Sequence, residues 1–159
     1  MYKPPVLFQV YRSSALPLLS APQDILMAIA GYVETQMEKA ALFETIGDGL
    51  CDAGALIEGL DCLERSRSIH VVLGHERGEQ QVLLRLGQVH QQMGRDVVAI
   101  CCFMEALTLS RRLGLVAEVE TLQLLAAAYE QAGMSYSAAD AAQQVSLLTS
   151  GSDLPYCNF

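Results

Sequence analysis

The side chains that could do chemistry are few, and their spacing decides against most of it. His70, His75 and His90 lie five and fifteen residues apart, not the one-turn separation that lets two imidazoles on a helix share a metal ion. The expectation is no metal site and no cofactor. Asp48 and Asp52 do stand one helical turn apart. As an acid and base pair they would need a nucleophile, a phosphate-cradling loop or an orienting partner, and none accompanies them. The chain is therefore expected not to be an enzyme. Cys51, Cys62, Cys101, Cys102 and Cys157 are odd in number and form no C-x-x-C pair. That points to reduced thiols in a cytoplasmic protein rather than a disulfide framework. Cys101 and Cys102 are adjacent on an expected helix, so they point in different directions and one packs as a small hydrophobe.

Charge narrows the partners. The net charge is -8, and only ten Lys and Arg are scattered through 159 residues, which disfavours nucleic acid, whose phosphates need clustered cations. From Leu113 to Phe159 there is no Lys or Arg, while Glu118, Glu120, Glu130, Asp140 and Asp153 are acidic. A partner drawn by long-range charge would be basic. No apolar run approaches membrane-spanning length. Arg12 and the prolines at the head of the first apolar run argue against a secretory signal.

The elements that must hold these side chains repeat. Gly87 and Gly94, seven apart, recur as Gly47 and Gly54 and again as Ala126 and Gly133. The offsets are 40 residues from the first copy to the second and 39 from the second to the third. Self-similarity at such a period is the mark of stacked supersecondary units. Residues 1–22, with Pro4, Pro5, Pro17 and Pro22, read as an irregular lead-in. Residues 23–38 read as an N-terminal helix that Ser20 caps. Repeats then follow over about 39–78, 79–117 and 118–150, with a tail at 151–159.

Within the repeats the apolar spacing is helical. Leu42, Ile46, Leu50 and Ala53 are expected to be the buried stripe of the first helix, and Leu56, Ile57, Leu60, Leu63 and Ile69 that of the second. The polar segment His75 to Gly78 reads as a connector. In the second repeat Val82, Leu83, Leu86, Val89 and Met93 precede the Gly94-Arg95 turn, and Val97, Ile100, Phe103, Met104, Leu107 and Leu113 follow it. Asp96 and, in the third repeat, Ser135 are candidate helix caps. The last helix is rich in Ala and Gln, so it buries less area per turn. Such a polar face suits a solenoid end.

Three sets of positions carry a family resemblance. A large residue, a small one and a further large one read Ile46-Gly47 with Leu50, Leu86-Gly87 with His90, and Leu125-Ala126 with Tyr129. On the second helices the small, large and small positions read Gly59, Leu63 and Ser66, then Ala99, Phe103 and Ala106, then Ala138, Ala142 and Val145. Residues 39–150 thus resemble tetratricopeptide (TPR) repeats, in a longer form of about 40 residues similar to the repeats of spindle-orientation adaptors and of rapsyn. Ala142 and Val145 depart from the size order, and the Asn of those adaptors is replaced by Asp48, Gln88 and Ala127.

The resemblance implies an all-α α-solenoid of helical hairpins, about three repeats plus the N-terminal helix, acting as a protein-binding scaffold. It implies that the first helices line a concave peptide groove and turn Glu44, Asp48, Asp52, Arg85, Gln88, Gln91, Gln92, Gln123, Glu130 and Gln131 towards it. A clamp for an acidic tail needs several cations, and in this set only Arg85 is one, so a basic or helical peptide fits better. The same residues also read simply as a solvated face. His90, in an aromatic position, reads as packed rather than ligating. The alternative to an adaptor is a self-associating structural module, or a truncated product of a longer array.

Overall fold

The computed structural model describes residues 22–151, and all of its elements there are helices. The expected lead-in, the Ser20 cap, Cys157 and the tail beyond Gly151 lie outside the described residues. The helices are α1 (Pro22–Asp52), α2 (Leu56–Leu73), α3 (Glu76–Gln92), α4 (Asp96–Leu113), α5 (Leu115–Gln131) and α6 (Ser135–Gly151). The chain divides into two compact units, Met1–Thr35 and Gln36–Phe159. In the first, Met27, Ile29, Tyr32 and Val33 are exposed and Thr35 Oγ1 donates back to Gly31 O at 2.9 Å.

The helix expected over 23–38 and the first helix of the first repeat are one helix of 31 residues. No helix-breaking residue stands at the expected boundary, since Glu38 and Lys39 both favour helix. Three hairpins result: α3–α4 and α5–α6, and α1–α2, where Gly47 and Gly59 approach closely, with α2 against α3 and α4 against α5 joining one to the next. The hairpin turns share one geometry. At the second, Gly94 takes φ 69°, Gly94 N–H donates to Gln91 O and Arg95 N–H to His90 O, a left-handed cap that satisfies the last carbonyls of α3. Bond pairs of the same kind close α1, α2 and α5. The connector between α2 and α3 is only Gly74 and His75, because α3 already begins at Glu76. Gly114, at φ 119°, is the whole link between α4 and α5.

The core runs through the middle hairpin. Val82, Leu83, Leu86, Ala99, Phe103 and Ala106 are fully buried, with Leu122 and Leu125 of α5 behind them. The small residues act as expected of sites where two backbones approach. A Cβ built on Gly87 would stand 2.5 Å from the Phe103 ring, and one on Gly59 would strike Cys51 Sγ. Asp96 is the first helical residue rather than a side-chain cap, and Arg95 takes the N-cap position.

Several expected core residues are not in the core. Leu42 is 59% and Ile46 43% exposed, while Ala40 and Gly47 are buried and Cys51 half-buried. Small residues on that second stripe let α2 come close, and the leucine stripe faces no helix among the described residues. Val97 and Met104 also lie on the outer face of α4. In α6 the buried positions are Ala138 and Ala141, with Val145 and Leu148 packed against the core, and Ala142 is exposed.

Candidate functional site

A concavity of about 660 Å³ opens where α1, α3 and α5 lie side by side, closed at one end by the turn around Gly114. Each helix supplies its own stripe. Glu44 and Asp48 come from α1, Arg77, Gln80, Gln81, Leu84, Arg85 and Gln88 from α3, and Leu115, Val116, Ala117, Glu120 and Leu124 from α5. The α3 residues recur at three and four positions, so they share one face. Four residues singled out from the sequence meet here: Glu44, Asp48, Arg85 and Gln88. Asp52, Gln92, Gln123 and Glu130 are exposed outside this lining, and Gln91 donates to Gln131 at 2.7 Å across α3 and α5.

The lining is of two kinds. One is polar and already bonded. Arg85 holds Asp48 at 2.7 Å and also contacts Gln88. Glu44 Oε1 accepts from Ser66 Oγ and meets His70 Nε2, each at 2.8 Å. His70, nearly fully buried, sets its Nδ1 3.0 Å from His75 Nδ1, and its ring lies where a side chain on Gly78 would have to go. Gln80, buried, donates to Thr121 Oγ1 at 3.3 Å, and Thr121 lies 2.7 Å from Ser110 Oγ. The rest of the lining is aliphatic: Leu84 beside the polar residues of α3, and Leu113, Leu115, Val116 and Leu124, with Val116 73% exposed. Arg77 and Glu120 face the same space without an ion-pair partner among the described residues.

Arg77 and the aliphatic wall were missed in the sequence. The signal was present for Arg77, Gln81 and Leu84, which extend the Arg85–Gln88 stripe by the helical period. For Leu113 to Ala117 there was none, because a one-residue link between helices brings a turn into the groove. The Glu44–Ser66–His70 cluster could have been found by offset: 40 residues on from Glu44, Ser66 and His70 stand Leu84, Ala106 and Ser110.

Two of the thiols, Cys51 and Cys102, are quiet. Burial first, then the Asp48 carboxylate, pushes Cys51 above the usual thiol range, and burial followed by Glu105 pushes Cys102 up to about 11. Neither is a thiolate nucleophile near neutral pH. Cys102 packs with the core while Cys101 is exposed, as adjacency on a helix requires. His90 is half-buried. Its Nδ1 is buried with no partner among the described residues, and burial, then Arg95, lowers its pKa. No group of three His, Cys, Asp or Glu among the described residues is placed to hold a metal ion, and none of the described helices is long and apolar enough to cross a membrane.

No family model matches the chain, and no curated protein does. Solved structures do. The TPR domain of Arabidopsis FLU superposes with TM-score 0.64 at 14% identity, covering 73% of this chain and 98% of that one. MamA superposes with TM-score 0.60 at 17% identity, covering 92% of this chain and 76% of that one. At such identities the likeness is one of fold: an all-α solenoid of TPR-like helical hairpins.

Proposed function

We propose that residues 39–150 form a non-enzymatic interaction module, a cytoplasmic adaptor that binds a segment of a partner protein in the groove between α1, α3 and α5. The observation that carries this reading is the pairing of a bonded polar wall with an unfilled aliphatic one in a cavity of about 660 Å³. That volume lies within the usual range of ligand sites, ~300–1,000 Å³. The polar wall is held by its own bonds before any ligand arrives, which lowers the ordering cost of binding. Asp48 and Glu44 are already engaged, so the charges left for a partner are Arg77 and Glu120. A helical or extended segment with aliphatic anchors beside a basic residue fits, the cation meeting Glu120. The 40-residue period supports kinship with the longer-repeat adaptors.

The test is comparative capture with the full chain, the double variant Val116→Asp with Glu120→Lys, and a control, Val72→Asp, on an exposed site of α2. Partners held by the groove are lost with the double variant and kept with the control, at unchanged melting temperature. Identical capture by all three sinks the groove assignment.

A second reading is self-association, or a piece of a longer array whose next hairpin is missing. The exposed Leu42 and Ile46 stripe on α1 favours it. Sedimentation across a range of concentrations separates it from the first, since a strict monomer rules out pairing through that stripe.

A further inference from the structure

The hairpins repeat their spacing but not the filling between their second helices. Between α2 and α4, Arg67 reaches Glu105 at 2.5 Å, and half-buried Cys102 packs against the cluster of Leu63, Val82 and Leu86. One repeat on, the matching positions of α4 and α6 hold Leu107, Gln144 and Ala141. Gln144 turns back along its own helix to donate to Asp140 at 2.9 Å, and a methyl group stands where the thiol stood. A cleft of about 400 Å³ is left between α4 and α6, floored by Leu122 and Leu125 and flanked by Met104, Tyr129 and Tyr136. On α5 these floor residues lie about 160° round the helix from those that line the groove, taking ~100° per residue. The two concavities are separate surfaces.

We propose that this cleft is a second docking site, seating one aromatic side chain of a partner peptide between flanking Lys or Arg residues. Its volume suits a single large anchor rather than a ligand of many rings. Its walls suit a ring in particular: a thioether and two phenols offer edge and sulfur contacts to an inserted aromatic. Met104 is 52% and Tyr136 89% exposed, so both stand at the mouth, where they can close over an entering group. Charge selects the flanks. α5 and α6 carry no Lys or Arg, and Arg111 at the rim is already paired with Glu118 at 3.2 Å, which leaves Asp140 as the carboxylate at the cleft. Asp140 at the opposite rim keeps lone pairs free for a cation after accepting from Gln144.

The test titrates the isotopically labelled full chain with a heptapeptide in which Phe is centred among four lysines. Its Ala-centred twin and a Glu-flanked twin serve as comparisons, with amide shifts of Met104, Leu125, Tyr136 and Ala141 followed. Saturable shifts are expected with the first peptide, at least tenfold weaker binding with the Ala twin and clearly weaker binding with the Glu twin. Ala141→Leu, which fills the floor, weakens binding at least tenfold. Tyr136→Ala, which removes a fully solvated ring and leaves the melting temperature unchanged, weakens it several-fold and decides the matter if the first variant misfolds. Equal binding of the Ala twin, shifts only at Leu84, Leu115 and Glu120, or undiminished binding by Tyr136→Ala overturns the proposal. Glu120→Lys leaves the cleft shifts unaltered, so failure here is distinct from failure of the groove.

Discussion

In the second hairpin Phe103 is fully buried against Gly87, and the ring fills the space that a Cβ on that glycine would take. In the third hairpin the same two positions are Ala126 and Ala142, and Ala142 is exposed. Ala138, Val145 and Leu148 of α6 still face inward, as their counterparts Ala99, Ala106 and Leu109 do in α4, and Ala141 is buried beside them. The difference teaches that the inner face of the second helix persists without the large central residue, which supplies buried volume rather than phase. The small residue on the first helix only permits the approach.

That contrast can be broken by mutation. Phe103→Ala is expected to cost ~3–5 kcal/mol in urea unfolding, as a buried ring lost from a close-packed site does. Ala142→Lys is expected to stay within ~0.5 kcal/mol, as at other exposed sites. Comparable costs at the two positions would end the comparison. Gly87→Ala should cost ~1–3 kcal/mol by overpacking against the Phe103 ring, and the double variant with Phe103→Leu should recover part of that loss. The third hairpin already carries that methyl, as Ala126, where no ring opposes it. Hydrogen exchange sharpens the contrast without mutation. Amides in the middle of α6 should exchange at least tenfold faster than those of α4, a difference of about 1.4 kcal/mol in opening. Equal protection would mean that alanines pack as firmly as Phe103 does.

The smallest expected effect is a pH dependence. His90 in the second hairpin stands where the third has Tyr129. Its folded pKa is lowered by burial and then by Arg95, so its unfolded form binds protons more readily. The stability linked to it is therefore complete above the unfolded value of ~6.5 and declines as pH falls through the folded one. His90→Tyr should shrink the drop in unfolding midpoint between pH 7.5 and 5.5. A drop of the same size in the variant would assign the dependence to other groups.

The architecture was legible because it rests on spacing. The recurring Leu-Gly and Gly turn positions mark close approaches and left-handed caps, which depend on one residue each and its neighbours. What the sequence hid depends on which faces find partners. Leu42 and Ile46 have the helical spacing of a core stripe, yet burial falls on Ala40 and Gly47, because periodicity names a face and not what covers it. Ala142 matches by offset but not by size, and it is exposed where Phe103 is buried. Of the groove residues, Glu44, Asp48, Arg85 and Gln88 were readable from the repeat register. The aliphatic wall was not, since it arises from a turn that reaches in between helices.

The links between hairpins have one more property. Arg85 to Asp48, Arg67 to Glu105, Gln91 to Gln131 and Gln80 to Thr121 each join residues 37 to 41 positions apart. Each reaches one repeat away and no further. A chain with such contacts never has to close a long loop in order to fold, and the entropic cost of loop closure stays small and the same at every step. Such a chain is expected to fold as a zipper, starting from a well-packed hairpin such as α3–α4 and adding one neighbour at a time.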